Sequence, residues 1–158
     1  MPAPALRHIE EAARAAYPHE CCGLLAGIRA TDGTVTVTRA VASRNLAETD
    51  TRDSFEVDPQ VRFDLMRALE AAGGREEIVG HYHSHPGHPA VPSARDLAMA
   101  YEPDLIWVIA ASGPDGVAEV RAHALDTDGA RFSEIPLQIT DGATYGSPSG
   151  SQEGDNER

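Results

Sequence analysis

The chain has no lysine. All 13 of its basic side chains are arginine, against 25 aspartates and glutamates, for a formal charge of −12. A surface of that sign argues against nucleic acid as the main partner, because a phosphate backbone is bound by basic groups. It argues equally against an anionic membrane surface. Long apolar runs are also missing. The most apolar stretch, LIWVIAA at 105–111, is too short to span a bilayer and reads as a buried strand. The opening residues MPAPALRHIEEAAR are amphipathic and charged, without the apolar core of a secretion signal. Only two cysteines occur, Cys21 and Cys22, and they are adjacent. Neighbours on a strand point to opposite faces and cannot bridge without strain. A reduced, cytoplasmic chain is therefore expected. At 158 residues with 41% hydrophobic side chains, one domain can build its own core without disulfide staples.

What is present is an alternation of helical and strand patterns. Leu6, Ile9, Ala13 and Ala16 recur at helical spacing, and Pro18 stops that helix. CGLLAGI at 22–28 and TVTVTRAVA at 34–42 read as two strands joined through the turn pair Asp32-Gly33. Residues 43–54 are polar and aperiodic, a loop of functional length, and 55–57 suggest a short strand. Asp58-Pro59 opens a helix as N-cap and first helical residue; Val61, Leu65, Leu69 and Ala72 form its stripe, and Gly73-Gly74 ends it. EIVGHYHSH at 77–85 is a strand stopped by Pro86, and a short helix runs from Ser93 to about Tyr101. Further strands are expected at 105–111, 117–125 and 131–139. Helices between strands of mixed direction imply an α/β layered fold with a mixed sheet. The domain covers 1–140; the Gly/Ser-rich, charged stretch 141–158 reads as a disordered tail.

The stretch GHYHSHPGHPAVPSARD at 80–96 carries four histidines within eight residues and ends in an aspartate. On a strand His81, His83 and His85 share one face, and Tyr82 and Ser84 the other. Two imidazoles two positions apart can reach one point about 2 Å from each ring nitrogen, as zinc requires. Asp96, in the first turn of the next helix, is the natural third ligand. Two histidines and a carboxylate leave a position open for water, the layout of a catalytic site. Blander readings exist: a His/Pro-rich surface loop that binds nothing, a capping box over Ser93-x-x-Asp96, or an Asp96 that answers the helix dipole.

The full string, H-S-H-P followed after six residues by S-x-x-D, together with the upstream YPHECCGLLAG, resembles the JAMM (MPN-type) zinc metalloproteases, above all their small stand-alone prokaryotic members. The resemblance spans residues 1 to about 135. It implies a three-layer fold with a mixed central sheet flanked by helices (MPN, cytidine deaminase-like). It implies Zn2+ held by His83, His85 and Asp96, with Glu20 as the general acid/base on the metal's water and Ser93 as the residue steadying the oxyanion. His81 then stands in the second shell or the wall of the site, His88 is exposed in the loop, and Ser84 is structural. The implied activity is an (iso)peptidase that cuts after the C-terminal Gly-Gly of a ubiquitin-like or sulfur-carrier protein.

Other assignments stay open on the residues alone. Two histidines and one carboxylate also form the facial triad of non-haem iron enzymes, which has no obvious use for Glu20 or Ser93. A non-catalytic MPN scaffold is a third class, against which the complete set of five residues argues. A cysteine nucleophile at Cys21 or Cys22 competes with simple core packing, the commoner fate of free cysteine. Glu20 by itself is equally an ordinary solvated carboxylate at a strand start.

Overall fold

The computed structural model describes residues 1–141, so the expectation of a disordered tail falls, beyond Asp141, outside the described residues. Helix α1 (Ala3–Ala16) is followed by strands β1 (Cys22–Arg29) and β2 (Val35–Ser43), helix α2 (Pro59–Ala71), strand β3 (Glu77–Pro86), helix α3 (Ala94–Ala98), and strands β4 (Ile106–Gly113), β5 (Gly116–Leu125) and β6 (Phe132–Ile135). The six strands form one sheet in the order β2-β1-β3-β4-β5-β6. Every neighbouring pair is antiparallel except β3 and β4, which run parallel. The mixed sheet with flanking helices is the expected architecture.

Side-chain alternation along the strands builds two apolar layers. Ile9 and Ala13 of α1 pack with Leu25, Tyr82, Val108 and Ala110 on one face of the sheet. Leu65 and Leu69 of α2 pack with Leu24 and Ala26 on the other. Tyr82 is fully buried under α1, where its hydroxyl lies 3.3 Å from His8 Nε2. His81, His83 and His85 consequently face the opposite side. Helix α2 begins as the sequence suggests: the Asp58 carboxylate accepts from Gln60 N at 2.9 Å and also pairs with Arg44 at 2.9 Å.

Three elements are shorter than their sequence patterns. Helix α3 stops at Ala98, because a further turn would carry Met99 and Tyr101 around a helix with nothing to pack against; both are exposed. Strand β6 stops at Ile135, where Pro136 removes a ladder donor. Residues 55–57 form no strand, only a single bridge between Asn45 and Val57. Among the described residues no helix is long and apolar enough to cross a membrane.

Close packing excludes a Cβ at Gly23, Gly27 and Gly80. Gly23 pairs with Tyr82 across β1 and β3, and a Cβ there would run into both the Tyr82 ring and the Val41 carbonyl oxygen. Gly23→Ala is therefore expected to destabilise the fold by about 1–3 kcal/mol through overpacking. That corresponds to roughly 2–4 °C of melting temperature per kcal/mol for a domain of this size. Thermal unfolding of the two proteins side by side checks this; an unchanged midpoint would show that the strands spread without cost.

Candidate metal centre

The centre forms at the carboxyl end of β3, where the chain leaves the sheet and α3 folds back over it. The β1–β3 register pairs Cys22 with His83. One step further the Cys21 amide donates to Ser84 Oγ at 2.9 Å and the Ser84 amide to the Cys21 carbonyl at 3.1 Å. Glu20 is thereby carried alongside His85, although 65 positions separate them in sequence. On the other side, the 87–92 loop is tied down by Gly87 N to Ser112 O at 2.8 Å and by His123 Nε2 to Ala90 O at 2.9 Å.

His83, His85 and Asp96, all buried, offer ligand atoms that lie within 4.8 Å of one another. His83 Nε2 and His85 Nε2 are 2.9 Å apart. Asp96 Oδ1 is 3.3 Å from the first and Oδ2 is 3.2 Å from the second. Donors about 2 Å from one tetrahedral ion stand roughly 3.3 Å apart, so the spacing fits a single zinc-sized cation. The protonation pattern fits too. His85 Nδ1 lies 3.0 Å from the Pro89 carbonyl oxygen. That oxygen can only accept, so Nδ1 carries a proton and Nε2 is the nitrogen turned to the cluster. Two imidazole nitrogens and a carboxylate converging in a buried space call for a positive charge among them, a proton in the metal-free protein or a metal ion in its place.

Asp96 is held in place by the start of its own helix. Ser93 Oγ accepts from the Asp96 amide at 3.1 Å, while Asp96 Oδ2 accepts from Ser93 N at 2.6 Å and from Ser93 Oγ at 2.8 Å. The capping box suggested by the sequence is therefore real and also aims the carboxylate at the histidines. Burial would raise the Asp96 carboxyl, but its hydrogen bonds from His83 and His85 dominate and hold it far below the usual carboxylate range. Burial lowers His83; it would lower His85 as well, but hydrogen bonding to Asp96 and to the Pro89 carbonyl raises that ring.

Glu20 is buried and its carboxyl is pushed up to about 8, chiefly by burial, with His85 pulling it back and Asp96 and Asp53 pushing it further. An ordinary solvated carboxylate it is not. His81 lies outside the ligand cluster, in the wall: burial pushes it down to about 3, and its neutral ring meets Trp107 edge-on with centroids 4.1 Å apart. His88 is exposed in the loop. Cys21 and Cys22 are buried free thiols that burial drives up, Cys22 to about 12, so neither supplies a thiolate near neutral pH.

Four residues at the centre were not singled out by the sequence. Phe55 stacks on His83, with centroids 4.2 Å apart and planes at 18°. Trp107 reads as core from its apolar run, Asn45 as loop, and His123 as an unremarked strand residue. Only tertiary packing brings them to the centre. For Phe55 the one available hint was an aromatic residue closing an otherwise polar segment.

A mixed sheet with a buried His-His-Asp cluster at a strand end, and an acid beside it, defines a metal-site hydrolase of the JAB/MPN class. Residues 2–125 match the family described as prokaryotic homologues of the JAB domain, and the chain belongs to that family. It is 36% identical over 134 residues to the desampylase of Haloferax volcanii, covering 85% of this chain and 88% of that one. It is 30% identical over 129 residues to the CysO-cysteine peptidase of Mycobacterium tuberculosis, covering 82% of each. A JAB1/MPN domain protein from Archaeoglobus fulgidus superposes with a TM-score of 0.56 over 89% of this chain and 97% of that one, at 18% identity, and so shares the fold. The chain is a peptidase or isopeptidase of this family.

The elevated Glu20 carboxyl has a consequence for stability. Folded metal-free protein retains the Glu20 proton up to about 8, whereas the unfolded chain releases it near 4.5. Between those values the native state binds more protons, so this group's contribution falls as pH rises through the window. In metal-free protein, Glu20→Gln is therefore expected to gain stability over the parent at pH 9 and to differ little at pH 4. Urea unfolding at the two pH values measures the difference; equal gaps at both would contradict the burial-driven shift.

Proposed function

We propose that this chain is a zinc-dependent (iso)peptidase that hydrolyses the bond after the C-terminal Gly-Gly of a ubiquitin-like or sulfur-carrier protein. The observation that carries the reading is the convergence of His83, His85 and Asp96 with the buried Glu20 alongside. The substrate class is supported by the relatives named desampylase and CysO-cysteine peptidase.

Zinc, when bound by His83, His85 and Asp96, supplies a Lewis acid for the scissile carbonyl and lowers the pKa of its water. Glu20 takes the proton of the attacking water and passes it to the leaving amine. Burial makes Glu20 a stronger base than a solvated glutamate, and its value falls again once a cation occupies the ligands. Ser93, whose hydroxyl donates to Asp96 here, turns to donate to the oxyanion that develops on the substrate. His81, Phe55 and Trp107 form an aromatic wall that keeps water from the back of the cluster.

An extended tail can pair through its backbone with the strand and loop of 80–96. A passage with no room for a Cβ would select glycine at the tail's end. With a charge of −12, docking favours a neutral or basic face on the partner and responds to salt. Iron chemistry at the same triad would leave the buried Glu20 without a task.

Purified protein is expected to carry about one zinc, which His83→Ala, His85→Ala and Asp96→Ala each largely lose and His88→Ala keeps. Elemental analysis decides this, and iron in place of zinc overturns the metal assignment. Glu20→Gln keeps the zinc and loses nearly all turnover; Ser93→Ala falls by roughly 10²-fold. The substrate is tested by incubating the enzyme with ubiquitin-like proteins bearing a C-terminal extension and weighing the products. Replacing the last glycine by alanine slows the cut far more than changes on the partner's far surface do. Cleavage of unrelated peptides at similar rates would remove the ubiquitin-like part of the reading.

A further inference from the structure

Asn45 follows the end of β2, and its side-chain amide is saturated. Nδ2 donates to the Glu20 carbonyl at 3.1 Å and to the Ser54 carbonyl at 2.8 Å. Oδ1 accepts from the Ala47 amide at 3.0 Å and from the Glu56 amide at 3.0 Å. A primary amide has two N–H groups and two lone pairs, so no capacity remains. Rotating the amide by half a turn would set its oxygen against two carbonyls and its NH2 against two N–H groups, so the network admits one orientation.

The partners matter more than their number. Only the bond to Ala47 is a local turn of the kind asparagine commonly makes. The other three reach 25, 9 and 11 positions along the chain. One of them holds the peptide of Glu20, the residue whose carboxylate stands beside the ligand cluster. The remaining two hold the groups on either side of Phe55, whose ring lies flat on His83. A single side chain thus anchors the backbone that bears the acid and the plate that backs a metal ligand. Glu20 has a second tie to the same segment, through its amide to Thr51 O at 2.7 Å.

We infer that Asn45 is a positioning residue: it sets the Glu20 carboxylate against the His83–His85–Asp96 cluster and holds Phe55 on His83, without touching the substrate. The inference rests on the reading of Glu20 as the proton carrier. A mere loop staple would have the same four bonds, so the test must separate the two.

The experiment compares Asn45→Ala, Asn45→Asp and Thr49→Ala in the full chain. Thr49 supplies the control, since its hydroxyl meets Ser54 Oγ at 2.8 Å within the same segment but reaches neither Glu20 nor Phe55. Asn45→Asp keeps both acceptors and loses both donors, so it also serves should Asn45→Ala fail to fold. The readouts are melting temperature, zinc affinity by chelator competition, and kcat and KM on a ubiquitin-like protein with a C-terminal extension. Both Asn45 variants are expected to fold, to bind zinc about tenfold more weakly, and to lose roughly 10–100-fold in kcat at saturating zinc with KM little changed. Thr49→Ala is expected to lose stability alone. Unchanged zinc affinity in the Asn45 variants overturns the inference. So does a change confined to KM, or an equal loss in Thr49→Ala. If the parent enzyme does not cleave the substrate, the functional reading fails, and the chelator measurement still judges Asn45 independently.

Discussion

Antiparallel pairing of β1 with β3, in the register that sets Cys22 opposite His83, is the constraint on which the site depends. Strand side chains alternate with a period of two, so a slip by one residue would turn His81, His83 and His85 under α1 and Tyr82 toward the metal. The register is held from both faces. Tyr82 needs the empty space over Gly23 to lie flat beneath α1, and Leu24 and Ala26 need α2 on the opposite side. With that register set, Glu20 has no choice but to emerge beside His85. The placing of Glu20 beside His85 is thus a by-product of core packing some residues away.

The second organising element is a carboxylate with two tasks. Asp96 completes the capping box of α3 and faces both imidazoles with its two oxygens. A charge buried this deeply is tolerable only because both of its oxygens have partners. The helix is just five residues long and contributes little packing, so its part in the structure is to deliver this one side chain. The histidines receive matching support: His85 through the Pro89 carbonyl, His83 through the face of Phe55. The loop that bears Pro89 is in turn held by His123 on β5. Orientation of these side chains therefore draws on β5 and on two loops besides β3 and α3, which bear them.

Burial acts oppositely on the groups around the centre. It leaves His81 a neutral packing ring, silences both cysteines and turns Glu20 into an unusually basic carboxylate. The difference between inert and reactive lies in what each group faces. His81 meets Trp107, and the Cys22 thiol donates to the Arg44 and Glu56 carbonyls at 3.6 and 3.8 Å. Glu20 alone faces the ligand cluster.

Much of this was legible in the sequence, and for local reasons. Alternation along 77–85 told which histidines share a face, Ser93-x-x-Asp96 announced a capped helix, and Asp58-Pro59 marked the start of α2; each is a rule about neighbours. The H-S-H-P and S-x-x-D spacing extended that to the family, because the short loop between them leaves the chain few ways to bring the aspartate back. The sequence was silent where the partners are distant and chemically plain. Nothing in 43–57 distinguishes Asn45 from other loop polar residues, or shows that Phe55 would lie on His83 rather than in a strand. Glu20 could be connected with His85 only by resemblance, since an ordinary acid at a strand start looks the same until a sheet register buries it. Residue types and short-range spacing thus determined the His-His-Asp cluster and the elements that bear it. The burial of these residues, their protonation and the acid placed beside them were decided by tertiary structure, because those properties belong to the neighbours that packing supplies.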